Sequence, residues 1–147
     1  MGRSMRLFLV SDSKTGVNFF PQLVELLGKK VADLRTETIF VPFPEDIPAR
    51  VAAVAKEADL IFVFVLYEEK DFKIEALLNK LIDIETRTKA KIVKVIEESD
   101  VDGMNELQLE KEREVLAEKW GQFILDYVFN PARFKPGNRK GEDFSPF

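Results

Sequence analysis

The chain has 147 residues, a formal charge of −4 and an isoelectric point near 5.1. That length suits one domain, and the absence of a basic surplus argues against a nucleic-acid binder. There is no cysteine and no histidine, which excludes disulfides, thiolate and imidazole metal sites, and Ser-His-Asp or Cys-His catalysis, so any general acid or base is Asp, Glu, Lys or Tyr.

Residues 1–5 are expected to be disordered. Arg6 to Ser11 is short, apolar and rich in β formers, so it reads as strand one. Asp12 to Asn18 is a turn stretch. Phe19, Phe20, Leu23, Val24, Leu27 and Val31 recur at helical spacing and predict helix one. Glu37 to Val41 reads as strand two, closed by Pro42 and Pro44. Asp46 reads as the cap of helix two, with Pro48 in its first turn and a stripe of Ile47, Val51, Val54, Ala55 and Ala58.

Asp59 to Leu66 is apolar on both alternating faces, the signature of a central parallel strand covered on both sides. It also belongs to the longest apolar run, Leu60 to Tyr67, which is far short of the ~20 residues of a membrane span. Helix three follows from Asp71, striped by Ile74, Leu77, Leu78, Leu81 and Ile82. Ala90 to Ile96 is strand four, and Glu97 to Gly103 an acidic loop. Helix four covers about Asn105 to Val128. Its charged first half suits solvent or a neighbouring subunit, and Trp120 reads as core or subunit interface. Residues 130–147 form a tail expected to pack on the chain itself or on a neighbour through Phe134, Phe144 and Phe147.

The β-α-β-α-β-α-β-α pattern predicts one α/β domain over 1–147. Its expected architecture is three layers (αβα) around a four-stranded parallel sheet of order 2-1-3-4. Ligands of such sheets bind beyond the strands' carboxyl ends, near the switch between strands one and three. The loops to inspect are Asp12–Asn18, Phe43–Asp46, Tyr67–Asp71 and Glu97–Asp102. With no apolar leader after Arg3, the expected location is the cytoplasm. The high charged fraction, 33%, with few Gln and Asn, suggests a thermophilic source.

Ser13 to Asn18 follows a strand and precedes a helix, a place that can cradle a phosphate, and it is similar to the flavodoxin phosphate loop with Asn18 in the last hydroxyl position. The other reading is an ordinary turn with Asn18 as helix cap. Acidic residues crowd the same edge: Asp12, Glu45, Asp46, Glu68, Glu69, Asp71, Glu97, Glu98 and Asp100. They can favour helix dipoles, bind Mg²⁺ or hold a proton, and no metal ligand set is assigned among them. Glu68 and Glu69 directly follow the most apolar strand. Lys14, Lys70 and Lys73 can offset substrate oxygens, or simply be solvated.

The segment Ile39-Phe40-Val41-Pro42-Phe43-Pro44-Glu45-Asp46-Ile47-Pro48 resembles the Val-Pro-Gly-x-x-Asp-Leu-Pro segment of archaeal-type riboflavin synthases, members of the lumazine synthase superfamily. Val10-Ser11-Asp12-Ser13, Ala58-Asp59-Leu60-Ile61 and Leu116 to Phe134 with the basic tail are similar to further parts of that family. The resemblance extends over most of the chain. It implies a flavodoxin-like protomer in a homo-oligomer, expected to be a pentamer, with active sites between neighbours. The implied reaction dismutates two 6,7-dimethyl-8-ribityllumazine molecules to riboflavin and a pyrimidinedione, with no cofactor required and Mg²⁺ as an option. By position, Phe43, Pro44, Glu45 and Asp46 would grip the ligand, with Asp12 and Ser13 lining the pocket; Thr15 and Tyr67, in the same loops, are further candidates for ligand binding.

The sequence departs from that family at Phe43, where a glycine is expected, at Leu66 and Tyr67, where a small residue is expected, and in lacking a histidine between Tyr67 and Glu75. Glu68, Glu69 and Lys70 are the candidates to replace it. The alternatives are a flavin or flavin-precursor binder without catalysis and a purely structural oligomer.

Overall fold

The computed structural model describes residues 4–136. Its elements are β1 (Met5–Asp12), α1 (Phe20–Lys30), β2 (Leu34–Val41), α2 (Ile47–Val54), β3 (Leu60–Tyr67), α3 (Phe72–Thr88), β4 (Ile92–Glu98) and α4 (Glu106–Phe129). Short 3-10 turns occupy Pro44–Asp46 and Pro131–Phe134. All strand pairings are parallel and the sheet order is β2-β1-β3-β4. The fold is therefore the α/β class with the strand order that the sequence predicts. No helix among the described residues is long and apolar enough to cross a membrane.

Several boundaries differ from expectation. Met5, expected to be disordered, opens β1 and pairs with Leu34. Strand β2 begins three residues before Glu37, because Leu34 to Thr36 continue the ladder beside Met5 to Leu7. Strand β4 runs through Glu97 and Glu98, which pair with Leu66 and Tyr67. Asp46 makes no side-chain cap; the 3-10 turn before α2 runs directly into the helix, so Asp46 already has helical backbone angles. Asp71 does cap α3, accepting the N–H groups of Lys73 at 3.0 Å and Ile74 at 3.2 Å.

The chain divides into two compact units, each described by itself. Among the described residues, one unit holds 4–16 and 33–103. On one face of its sheet Phe8, Val10, Ile39, Val41, Ile61, Val63 and Val65 pack with Ile47 and Val51 of α2 and Ile74, Leu77 and Leu81 of α3. The opposite face is equally apolar, with Leu7, Leu9, Phe62, Phe64, Val93 and Val95 all buried. This two-faced burial is what the uninterrupted Leu60–Leu66 run foretells. Gly16 sits at a close approach: a Cβ there would stand 3.0 Å from Val101 Cγ2.

The second unit holds 17–32 and 104–136. Asn105 and Gln108 cap α4 reciprocally, Asn105 Oδ1 accepting the Gln108 N–H at 2.8 Å and Gln108 Oε1 accepting the Asn105 N–H at 2.9 Å. Gly121 admits Leu26 of α1, which would lie 2.8 Å from an added Cβ. Trp120, read as core or interface, is 2% exposed and packs edge-on against Phe123 at 5.4 Å, so it belongs to the chain's own core. Phe134 joins Phe123 and Tyr127. The charged first half of α4 is largely exposed, including Leu107 and Val115. Residues 1–3, Phe144 and Phe147 lie outside the described residues.

Candidate functional site

At the carboxyl edge of the sheet, three chain exits meet: the turn after β1, the turn after β2 and the turn after β3. Between them lies a groove of about 660 Å³. Phe43, Pro44 and Glu45 line it from the β2 exit, and Leu66, Tyr67, Glu68 and Glu69 from the β3 exit. Lys14 comes from the first turn, and Asp71, Lys73 and Ile74 from the start of α3. A site of this size matches the range of ~300–1,000 Å³ that small-molecule clefts occupy.

Each wall has a local cause. Pro42 and Pro44 cannot continue a strand ladder, so the chain leaves the sheet and turns, and Phe43 is left 46% exposed. Lys14 Nζ sits 5.0 Å from the centroid of the Phe43 ring, a cation–π distance. Lys73 pairs with Glu45 at 3.5 Å, an exposed pair of little energetic weight. The carboxylate of Asp71 is committed to the α3 cap. Glu68 and Glu69, by contrast, are exposed and make no hydrogen bond or ion pair among the described residues. The groove therefore joins an aromatic floor, one cation held over that floor, and two carboxylates free to act on a ligand.

The first turn is organised differently. Asp12 is 2% exposed. Its Oδ2 accepts the Lys14 N–H at 3.0 Å and its Oδ1 accepts the Thr15 hydroxyl at 2.6 Å. Thr15 Oγ1 in turn accepts the Leu66 N–H at 3.1 Å, tying the turn to β3. Ser13 donates its N–H at 2.8 Å and its hydroxyl at 3.2 Å to Val41 O, tying the turn to β2. Both hydroxyl donors are thus spent inside the protein. Asn18 Oδ1 accepts the Phe20 N–H at 3.1 Å from one position before the helix cap, which is Phe19 and makes no side-chain cap, so Asn18 is not the cap that the turn reading expects.

Of the sequence candidates, Phe43, Pro44, Glu45, Tyr67, Glu68 and Glu69 share the groove. Asp12, Ser13 and Thr15 form the turn that holds Lys14 in its wall. The Asp46 side chain is not part of the wall; its N–H donates to Phe43 O at 3.0 Å. Lys70 lines an adjoining cavity of about 320 Å³, with Glu75, Leu78, Asn79 and Ile96, and this cavity shares Tyr67 and Ile74 with the groove. Lys14 and Lys73 emerge as wall residues, although singly each reads as solvated surface; the signal was their position, one in the turn after β1 and the other in the first turn of α3. Among the described residues, no three acidic side chains converge to hold a metal ion.

No family model matches the chain, and no curated protein matches it. Two solved structures are similar at low identity. The MID domain of the Argonaute protein QDE-2 of N. crassa is 11% identical, with a TM-score of 0.43 over 82% of this chain and 98% of that one. A phosphate-loop protein solved in solution is 21% identical, with a TM-score of 0.41 over 86% of this chain and 98% of that one.

Proposed function

We propose that the chain is a riboflavin synthase-like enzyme. Its groove takes a 6,7-dimethyl-8-ribityllumazine ring system and dismutates two such molecules to riboflavin and a pyrimidinedione. One observation carries the reading: Phe43, Pro44 and Glu45, from the segment that resembles that family, line the same groove as the two uncommitted carboxylates Glu68 and Glu69. In this reading the exposed Phe43 ring stacks on the flat heterocycle and displaces Lys14 from its face. Glu68 or Glu69 removes a proton from the ring methyl group, the step that a histidine-free chain must give to another base. Tyr67 and Glu45 bond the ribityl hydroxyls. Lys70, the third candidate to replace the missing histidine, lines the adjoining cavity that shares Tyr67 and Ile74 with the groove. The chemistry takes place in the cytoplasm and in a homo-oligomer.

The decisive experiment incubates purified protein with 6,7-dimethyl-8-ribityllumazine, with and without Mg²⁺, and follows riboflavin absorbance. Turnover that Glu68→Gln or Glu69→Gln lowers by ~10²-fold or more supports catalysis by that carboxylate. Ligand binding without turnover replaces the enzyme with a flavin-precursor binder. Neither binding nor turnover overturns both.

A further inference from the structure

The outer strands of a sheet carry backbone N–H and C=O groups that no neighbouring strand satisfies. Here the outer strands are β2 and β4, and they treat those groups differently. Leading into β4, Lys91 O points inward and accepts the Ile61 N–H of β3 at 2.9 Å, so Ile92 turns its own groups outward. There they are closed off. Glu85 Oε2 accepts the Ile92 N–H at 3.4 Å, and Lys94 Nζ donates to Ile92 O at 3.0 Å. Lys94 and Glu85 are themselves a largely buried ion pair.

On β2, Met5 N–H bonds to Asp33 O at 3.2 Å and Ser13 N–H to Val41 O at 2.8 Å. Odd-numbered residues therefore turn their backbone groups towards β1, and Leu34, Thr36, Thr38 and Phe40 turn theirs away. Among the described residues nothing clamps Thr36 as Glu85 and Lys94 clamp Ile92. On either side of it stand Arg35 and Glu37, both exposed and on one face of the strand. Neither has a side-chain hydrogen bond or ion pair among the described residues.

We propose that β2 pairs antiparallel with β2 of a second copy of this chain, about a two-fold axis through Thr36, joining two sheets edge to edge. The two Thr36 residues exchange both backbone bonds, as do Leu34 of each copy and Thr38 of the other. Arg35 of each copy then faces Glu37 of the other, in the non-hydrogen-bonded sites where opposing Cβ atoms come closest. The charge pattern selects this register. Centring the axis on Arg35 sets that residue against itself, and centring it on Glu37 does the same for the glutamate. Centring it on Thr38 separates the opposite charges. The Arg-Thr-Glu triplet is complementary to its own reversal, which is what a two-fold contact between identical chains requires. This contact is independent of the catalytic reading above.

The test measures the mass of the full-length protein in solution across a concentration series. A dimer is expected. Arg35→Glu or Glu37→Arg alone should weaken the dimer by roughly tenfold in Kd, and the double exchange R35E/E37R should restore it. Thr36→Pro removes an N–H that points away from β1, so it should give a folded monomer, with circular dichroism confirming the fold. A monomeric wild type overturns the proposal. So does any oligomer indifferent to the single exchanges, or a double exchange as weak as the singles. If Thr36→Pro unfolds, the charge-exchange series decides alone.

Discussion

Two turns at the carboxyl edge of the sheet share a position and differ in what their polar groups do. After β1, the side chains of Asp12, Ser13 and Thr15 are all consumed in holding β1, β2 and β3 in register. After β3, Asp71 alone is consumed, as a helix cap, and Glu68 and Glu69 are left uncommitted. Both turns carry acids, Asp12 in the first and Glu68, Glu69 and Asp71 in the second, and residue type alone does not say which of them are available. What separates them is which acids the backbone has already claimed, and chemistry is available only to those it has not.

Substitutions can break this contrast. The largest effect is expected at Asp12→Ala, which strips partners from the Lys14 N–H and the Thr15 hydroxyl beneath the groove and should cost about 2–3 kcal/mol in urea unfolding. Thr15→Val should follow at about 1–2 kcal/mol, because it keeps the shape but leaves the Leu66 N–H without its acceptor. Asp71→Ala should cost about 1 kcal/mol through loss of the α3 cap. Smallest are Glu68→Gln and Glu69→Gln, expected to stay within ~0.5 kcal/mol of the parent while carrying the whole loss of turnover proposed above. If a glutamine variant destabilised the fold as much as Asp12→Ala, the contrast between the turns would vanish.

Much of the fold is legible in the sequence because its signals are local. The Leu60–Leu66 run announces a strand buried on both faces, and the stripes of α1 and α3 announce their inward sides. The start of β2 escapes such reading because Leu34-Arg35-Thr36-Glu37 pairs on one side only and stays half in water, so it carries no apolar alternation. The end of β4 escapes for a related reason: Glu97 and Glu98 read as loop, yet the ladder beside Leu66 and Tyr67 holds them extended. In the groove, Phe43, Glu45, Glu68 and Glu69 could be named from their places after strands. That Lys14 lies over Phe43, and that Asp46 and Lys70 stand outside the groove wall, depends on how the exits turn, which no local pattern encodes.

The Glu85–Lys94 clamp on Ile92 has a consequence for aggregation. A sheet with two sticky borders can add copies without limit and grow into a fibre. With the outward groups of Ile92 on β4 closed off by side chains, a two-fold association through β2 uses up the more open border and gives a closed pair. A lysine on one strand and a glutamate on the helix before it would then act as the chain terminator of self-assembly.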